Sequence, residues 1–472
     1  MRCSRPGSVR QQVRFLKRQF LQDGDLPFTD VLSEEIISQA LTAISGVWKD
    51  RIYTPLVTLW VFLGQVLSAD HSCRAAVARL VVHRLSRGKM ACSSKTGAYC
   101  QARRRLPEEF FSAVTRSVGR ALDGQTDRKW LWKGRPVYMF DGTMVSMPDT
   151  PDNQAEYPQP SNQRPGLGFP LARIGALTSL ACGAIVQLGF SRYAGKGQGE
   201  VTLLRQLAGV LSAGDVLLAD CLIGNWRCLF EMQERGVDMV TRLNKALRTA
   251  DFRKGRRLGK DDHLVRWPKP HIREVGRAAQ RAMPRFLTVR EVRVHIQQPG
   301  FRTRVIVVVT TLIDPQKYSK EELGDLYRAR WNQELDLRSI KSTMQMDVLR
   351  CKTPELVRKE VWTHILAYNL IRTIMAQAAL RHEIEPRTLS FKATMQILEA
   401  FQPLIDFQGR RDRKFRLHLY DQLLDAIALH RVADRPDRFE PRRRKRRPPL
   451  YGYLTMPRHV TKTAILNRTM HN

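Results

Sequence analysis

The chain has 472 residues, 43% of them hydrophobic, with 79 Lys and Arg against 45 Asp and Glu and a formal net charge of +34. That hydrophobic fraction excludes a disordered polyelectrolyte and suits two to four folded domains. The cationic excess exceeds what solubility needs and points to a polyanionic partner, nucleic acid before membrane, since neutralised phosphates release their counterions. Eight cysteines stand without a Cys-x-x-Cys pair or a Cys/His cluster, arguing against structural zinc and for reduced thiols in a cytosol-like compartment. The longest apolar run, PLVTLWVFLGQVL at 55–67, is too short to span a bilayer, and the first residues hold no apolar signal core. A soluble intracellular protein is expected. The glycine-rich GKGQG at 195–199 lacks the spacing and the Lys-Ser/Thr ending of a P-loop, so nucleotide hydrolysis is set aside.

Residues 1 to about 125 read as helical, with 3.6-residue spacing in SEEIISQALTAI and again in LPEEFFSAVTRSVGRAL. Basic clusters interrupt them at 14–18, 84–89 and 103–105, and SSKTGAYCQARRRL at 93–106 reads as a turn leading into a cationic helix. At Arg135 the pattern changes. In RPVYMFDGTMVSMPD a short apolar strand, 137–140, delivers Asp141, with a backbone turn expected at Gly142 and Thr143. Residues 171–193 give two strands joined near Cys182 and Gly183, GEVTLLRQLAGVL a helix, and GDVLLADCLIGNW a second buried strand, 216–219, that ends on Asp220. A helix at 226–235 and a strand at 238–242 follow. The basic loop LRTADFRKGRRLGKDD then leads to FLTVREVRVHI and FRTRVIVVVTTLI around a Gln-Gln-Pro-Gly turn, the best hairpin in the chain. Arg290, Arg293, Arg302 and Arg304 alternate there with apolar residues and suggest a sheet with a cationic side.

The stretch 319–350, SKEELGDLYRARWNQELDLRSIKSTMQMDVLR, opens with Ser319 and has Glu322 three positions on, a capping box that predicts a helix start. On one continuous helix Tyr327, Arg330, Glu334 and Lys341 fall within an arc of roughly 60°. After it, TPELVRKEVWTHILAYNLIRTIMAQAAL reads as a long helix whose stripe of Val361, Ile365, Tyr368 and Ile371 suits core packing or a dimer contact. The tail DRPDRFEPRRRKRRPPLYGYLTMPR is proline-punctuated and basic, fit for a DNA-contacting or solvated arm.

Two aspartates at the ends of neighbouring strands and a glutamate on a helix packed against them suit hard divalent ions, which prefer carboxylate oxygens. Asp141, Asp220 and Glu334 fit that pattern. Asp149 and Asp152 lie in a Pro-rich loop with no strand to position them, and Asp215 precedes its strand. Of Glu321, Glu322, Asp325, Glu334 and Asp336, only Glu334 shares the arc. The DGT and LLAD contexts, their order, and the spacing of Tyr327, Arg330, Glu334 and Lys341, with Trp331 after the arginine, resemble the DDE transposases of bacterial insertion sequences that carry the YREK signature.

The resemblance runs from about Tyr138 to Arg350. It implies an α/β fold with a ribonuclease-H-like catalytic core interrupted by a mostly β insertion, between helical N-terminal and C-terminal regions. The division would be 1–128 for transposon-end binding, 129–243 and 314–350 for the core, 244–313 for the insertion, 351–432 for a helical region with possible dimerisation, and 433–472 for the basic tail. The implied activity is metal-dependent cleavage at transposon ends and strand transfer to target DNA, through a hairpin intermediate, by a homodimer on DNA. Two Mg²⁺ ions per site, replaceable by Mn²⁺, would be held by Asp141, Asp220 and Glu334. Tyr327, Arg330 and Lys341 would contact the DNA end, and Trp267, in VRWPKP, is the nearest candidate for an aromatic stacked on a flipped base. A bacterial cytoplasmic, nucleoid-associated location and no membrane contact follow. Two alternatives share these residues: an endonuclease without strand transfer, and a DNA-binding protein without chemistry.

Overall fold

The computed structural model describes residues 34–42, 52–86, 88–295, 305–408, 413–432 and 451–469. The N-terminal part is helical, with α1 at Glu34–Thr42, α2 at Pro55–Val66, α3 at Cys73–Ser86, α4 at Gly97–Arg105 and α5 at Glu108–Gly124. Local chemistry sets α2: Pro55 occupies its first turn, where no amide hydrogen is needed, and the Thr54 hydroxyl accepts from the Val57 amide at 3.3 Å. The cationic run at 103–105 divides. Arg104 and Arg105 are exposed, but Arg103 is buried, its guanidinium 4.8 Å from the Phe62 ring centroid and 4.6 Å from that of Tyr99. Arg103 therefore serves packing rather than a phosphate.

A nine-stranded sheet follows, in the order β3-β2-β1-β4-β5-β9-β8-β7-β6. Its first five strands are β1 (Val137–Ser146), β2 (Leu171–Ser179), β3 (Ile185–Arg192), β4 (Val216–Ala219) and β5 (Asp238–Arg242). β1 to β3 form an antiparallel meander, and β4 and β5 run parallel to β1. The β2–β3 turn uses Gly183 at φ +83°, as the glycine there anticipated. Between strands lie α6 (Pro151–Glu156), α7 (Glu200–Leu207) and α8 (Trp226–Glu234).

One expectation changes here. The strand carrying Asp141 does not turn at Gly142 and Thr143; β1 continues to Ser146, paired residue for residue with β2. The insertion, expected as mostly β, joins the same sheet. Its strands β6 (Arg256–Gly259), β7 (Asp262–Pro268), β8 (Phe286–His295) and β9 (Val305–Thr310) extend the core, with α9 (Arg277–Ala282) between β7 and β8 and with β9 antiparallel to β5. Arg290 lies fully buried, its guanidinium paired with Asp262 at 2.5 Å and donating to the Tyr318 carbonyl at 2.6 Å. It contributes no cationic surface; the Gln-Gln-Pro-Gly turn and Arg302 and Arg304 lie outside the described residues, as do Arg14 to Arg18 and Arg442 to Arg447.

The chain then forms α10 (Lys320–Ala329), α11 (Trp331–Arg338), a π-helical turn (Ser339–Thr343), and the long α12 (Pro354–Arg381), followed by α13 (Phe391–Gln408), α14 (Arg413–Ala428) and α15 (Arg458–Thr469). Val361, Ile365, Tyr368 and Ile371 of α12 are buried in one hydrophobic cluster with Phe62, Phe110 and Val118 from the N-terminal helices. Thr115 donates to the Trp362 carbonyl at 3.0 Å, so the N-terminal helices and α12 share a core. Among the described residues no helix is long and apolar enough to cross a membrane.

Candidate active site

The pairing of β1 with β4 matches Val137 to Val216, Tyr138 to Leu217 and Met139 to Leu218. The ladder ends there, and Asp141 and Asp220 each follow its last pair by two residues on these adjacent strands. β4 is apolar and fully buried, and Asp220 is the first residue beyond it. Each carboxylate is fixed by the next backbone N–H: Gly142 donates to Asp141 at 2.8 Å and Cys221 to Asp220 at 2.6 Å.

The third acid arrives on the helix that Ser319 starts. The Ser319 hydroxyl accepts from the Glu322 amide at 3.1 Å and the Glu322 carboxylate accepts from the Ser319 amide at 2.9 Å, the capping box expected from sequence. The helix is not continuous, however. It breaks at Arg330 and widens into the π turn, where the Met344 amide donates to the Ser339 carbonyl at 3.0 Å. The single arc predicted for Tyr327 to Lys341 is therefore corrected: Lys341 sits on the π turn, displaced from the straight projection. Flanking residues seat Glu334. Gln333 is buried and donates to the carbonyl of Ala176, the β2 residue paired with Asp141, at 3.4 Å. Asp336 is buried between Arg372 and Arg387, which also grips the Leu180 and Ser179 carbonyls at 2.7 Å each. Beyond the π turn the chain returns to β1, with Ser146 bonded to the Asp347 carbonyl at 3.1 Å.

Arg330 stands between the acids. One guanidinium nitrogen is 3.6 Å from an Asp141 oxygen and another donates to Glu334 at 2.9 Å. Two carboxylates from different elements thus converge on one positive centre. Burial pushes the Asp141 carboxyl up to about 6, with Glu200 and Glu334 adding and the Gly142 N–H and Arg330 opposing. Burial works against the Arg330 charge, but Tyr327, Glu334 and Asp141 outweigh it and hold the guanidinium protonated. Burial raises the Tyr327 phenol to about 12, assisted by Asp220 and Cys221 and opposed by Arg330 and Arg242. Tyr327 is therefore a neutral hydroxyl lying between the Asp220 side and the Asp141 side of the site.

Arg242 and a neighbour across the sheet escaped the sequence reading. Arg242, the last residue of β5, lies 3.9 Å from Asp220 and donates to the Cys221 sulfur at 3.4 Å; its place at the same strand end as Asp220 was the available signal. Glu200, the first residue of α7, lies against the bare face of Gly142, on the side of the sheet opposite the Asp141 side chain, and pairs with Arg173 at 3.0 Å. No spacing in the sequence announces it. Trp267 lies elsewhere: its ring is only 4% exposed, its N–H donates to Glu291 at 2.8 Å and the Arg248 guanidinium covers it at 4.6 Å. Seated so, it offers no open face for a base.

Among the described residues no three His, Cys, Asp or Glu side chains already stand together as a metal cage. The donors nevertheless suit a hard divalent ion, for they are carboxylates, and the spot that Arg330 reaches from Asp141 to Glu334 is one where positive charge is already held. The fold thus gathers an acid within β1, an acid just past the end of β4 and a helix-borne glutamate, with Arg330 and Arg242 beside them. Residues 132–370 match the family described as Transposase DDE domain, and the chain belongs to that family of enzymes. Over 447 residues it is 27% identical to the transposase InsG for insertion sequence element IS4 of Escherichia coli (strain K12), covering 92% of this chain and 95% of that protein. A stretch of 69 residues is 38% identical to the putative transposase InsL for insertion sequence element IS186A of the same organism, covering 15% of this chain and 19% of that protein. A cryo-EM structure of the piggyBac transposase synaptic complex with hairpin DNA matches at a TM-score of 0.44 and 9% identity, over 88% of this chain and 85% of that one.

Proposed function

We propose that this transposase cuts DNA at the ends of an insertion sequence and joins them to target DNA, using Asp141, Asp220 and Glu334 to hold two divalent ions. The observation carrying the reading is the reach of Arg330 from Asp141 to Glu334, with Asp141 and Asp220 each two residues past the last β1–β4 pair. When bound, Mg²⁺, or Mn²⁺ in its place, activates the attacking water or 3′-hydroxyl and stabilises the leaving oxygen. The chain's own groups position the DNA. Arg330 and Arg242 can each offer a guanidinium to a phosphate, Lys341 a point charge, and Tyr327 a neutral hydroxyl near both aspartates. The strand order β3-β2-β1-β4-β5, antiparallel then parallel, supports a ribonuclease-H-like core.

The spacing of Tyr327, Arg330, Glu334 and Lys341 supports membership of the YREK branch, and with it a hairpin intermediate and a homodimer assembled on transposon-end DNA. The charge of +34 supports DNA partners and a cytoplasmic, nucleoid-associated location in a bacterium. Within the fold, the N-terminal helices through residue 128 would read the end, with exposed Arg104 and Arg105 available to phosphate. The insertion at 244–313 would flank the core at 129–243 and 314–350, the helices at 351–432 would brace it or support dimerisation, and the tail at 433–472 would add cations. Incubating the protein with a pre-cut end, bearing the element's own flanking repeats, and a plasmid in Mg²⁺ tests the activity. Joined product is expected, and Asp220→Asn should bind the end but neither cleave nor join. Cleavage without any joined product would favour an endonuclease, and an Asp220→Asn variant indistinguishable from wild type would refute the assigned site.

A further inference from the structure

Between Asp70 and Glu108 the sequence carries seven arginines and two lysines and no acid. Self-repulsion on that scale is relieved by a polyanion. α4 lies in this stretch and has two distinct sides. At about 100° per residue, Tyr99, Cys100, Ala102 and Arg103 fall on one side, buried or half-buried, while Gly97, Ala98, Gln101, Arg104 and Arg105 fall on the other, all exposed. The exposed arc spans roughly 120°, with Gln101 at its centre. The inner side fixes the helix: the Tyr99 hydroxyl donates to Gln65 of α2 at 2.7 Å, and the Arg103 guanidinium donates to the Cys73 sulfur at the start of α3 at 3.1 Å. At the far end Lys359, fully buried on α12, donates to the carbonyls of Arg103 and Arg104 at 3.2 and 3.3 Å. Those carbonyls are among the ones a helix leaves without an internal partner. α4 is therefore held rigidly, with its outer side free.

The order of residues along that outer side suits a DNA groove. Gly97 and Ala98 carry at most a methyl, so the backbone there can approach base edges closely, and the major groove is wide enough to admit an α-helix. Arg104 and Arg105 stand at the other end, and among the described residues no acid pairs with either guanidinium. Phosphates would meet them, contacts that set register without reading sequence. Gln101, between these two groups, is the one side chain of the face with both a donor and an acceptor, and among the described residues nothing bonds to it. A glutamine carboxamide matches the N6 and N7 edge of adenine in a bidentate way. We propose that α4 is the helix by which this transposase reads transposon-end DNA, and that Gln101 is its specificity-determining residue, selecting an adenine in the major groove. The inference deepens the end-reading role given above to the N-terminal helices and rests on it.

A binding selection tests it. The full chain, in EDTA so that nothing is cut, is offered duplexes of the element's own terminal repeat with each position randomised in turn, and the bound molecules are sequenced. Wild type is expected to prefer adenine at the position Gln101 reads. Gln101→Ala should lose that one preference, keep the others, and bind the intact repeat about 10-fold more weakly. Gln101→Lys should move the preferred base there from adenine to guanine, whose O6 and N7 accept from a lysine. Arg104→Ala and Arg105→Ala should weaken the repeat and a scrambled duplex of equal composition by the same factor, each lowering the salt slope of binding by about 1. A change confined to one base position cannot come from loss of folded protein, which weakens every duplex alike. If wild type favours the repeat but Gln101→Ala and Gln101→Lys leave every base preference as it was, the assignment is overturned. The joining assay above separates this failure from that of the wider reading: ends still joined beside an unchanged base profile would remove only the role of α4. Wild type that neither joins ends nor favours the repeat over the scrambled duplex would sink the end-reading role, and this inference with it.

Discussion

Removing Arg330 tests whether it is only a DNA contact or also the cation that keeps the empty acids together. Arg330 is 15% exposed, Asp141 22% and Glu334 38%, so the triad lies between a buried and a surface ion pair. Deleting one partner costs about 3–5 kcal/mol when buried, and exposed pairs contribute at most about 1. Arg330→Ala should therefore destabilise the metal-free protein by about 2 kcal/mol, leaving two carboxylates facing each other. The same change removes a competitor for the divalent ion. If the stability lost is recovered on binding, Mn²⁺ affinity should rise by up to roughly 30-fold, and saturating Mn²⁺ should raise the melting temperature more in the variant than in wild type. The measurement belongs near pH 8, well above the Asp141 value of about 6, so that loss of the guanidinium does not simply protonate the aspartate. Denaturant titrations with EDTA and with Mn²⁺, for both proteins, give all four quantities. Equal destabilisation with and without the ion, together with unchanged Mn²⁺ affinity, would refute the idea that Arg330 and the ion compete for the same carboxylates.

Three further outcomes are expected. Asp336→Asn leaves Arg372 and Arg387 buried without their carboxylate and should cost about 3–5 kcal/mol by chemical denaturation, whereas a surface acid such as Asp152→Asn should cost almost nothing. Ser319→Ala removes half of the capping box and should cost about 1 kcal/mol while leaving strand transfer near wild type; a large loss of activity would mean that the start of α10 does more than set the helix. His364, buried within α12, has its pKa lowered by burial from 6.5 to about 4, so the fold holds it neutral. Its contribution is full above 6.5 and is lost as the pH falls toward 4, up to roughly 3 kcal/mol. His364→Leu should therefore flatten the acid limb of the stability profile between those values, and an unchanged limb would mean that other groups set it.

The parts written in local chemistry were legible in the sequence. The apolar run of β4 ending on Asp220, the Ser319 capping box and the two-strand stretch at 171–193 each depend on a few adjacent residues, and each appears where those residues put it. What depended on distant partners was not legible. Gly142 resembled a turn residue because glycine after aspartate is common in turns, whereas its cause is a glutamate 58 positions away, pressed against it by the fold. Arg290 read as one tooth of a cationic face, and only the meeting of β7 with β8 brings Asp262 diagonally across from it. Periodicity placed Lys341 on the same arc as Glu334 because an ideal helix was assumed; nothing local in SIKST signals a π turn, which arises where the chain must return to pair with the end of β1. Asp336, an equal candidate by composition, is set apart from Glu334 only by Arg372 and Arg387, which come from beyond the active-site segment.

The joining of the insertion to the core has a consequence for how the molecule behaves in company. Had the sheet stopped at β5, the strand whose last residue is Arg242 would present unpaired amides and carbonyls beside the active site, a template for another chain to add to. β9 closes that flank and transfers the exposed border to β6, a four-residue strand with Arg256 and Arg257 in solvent and an irregular register against β7. Short, cationic and bent, such a border repels a second copy of itself. Excising 244–313 to make a smaller enzyme should therefore give a protein that aggregates, and capping β5 with a substitute strand should matter more for its solubility than restoring any particular loop.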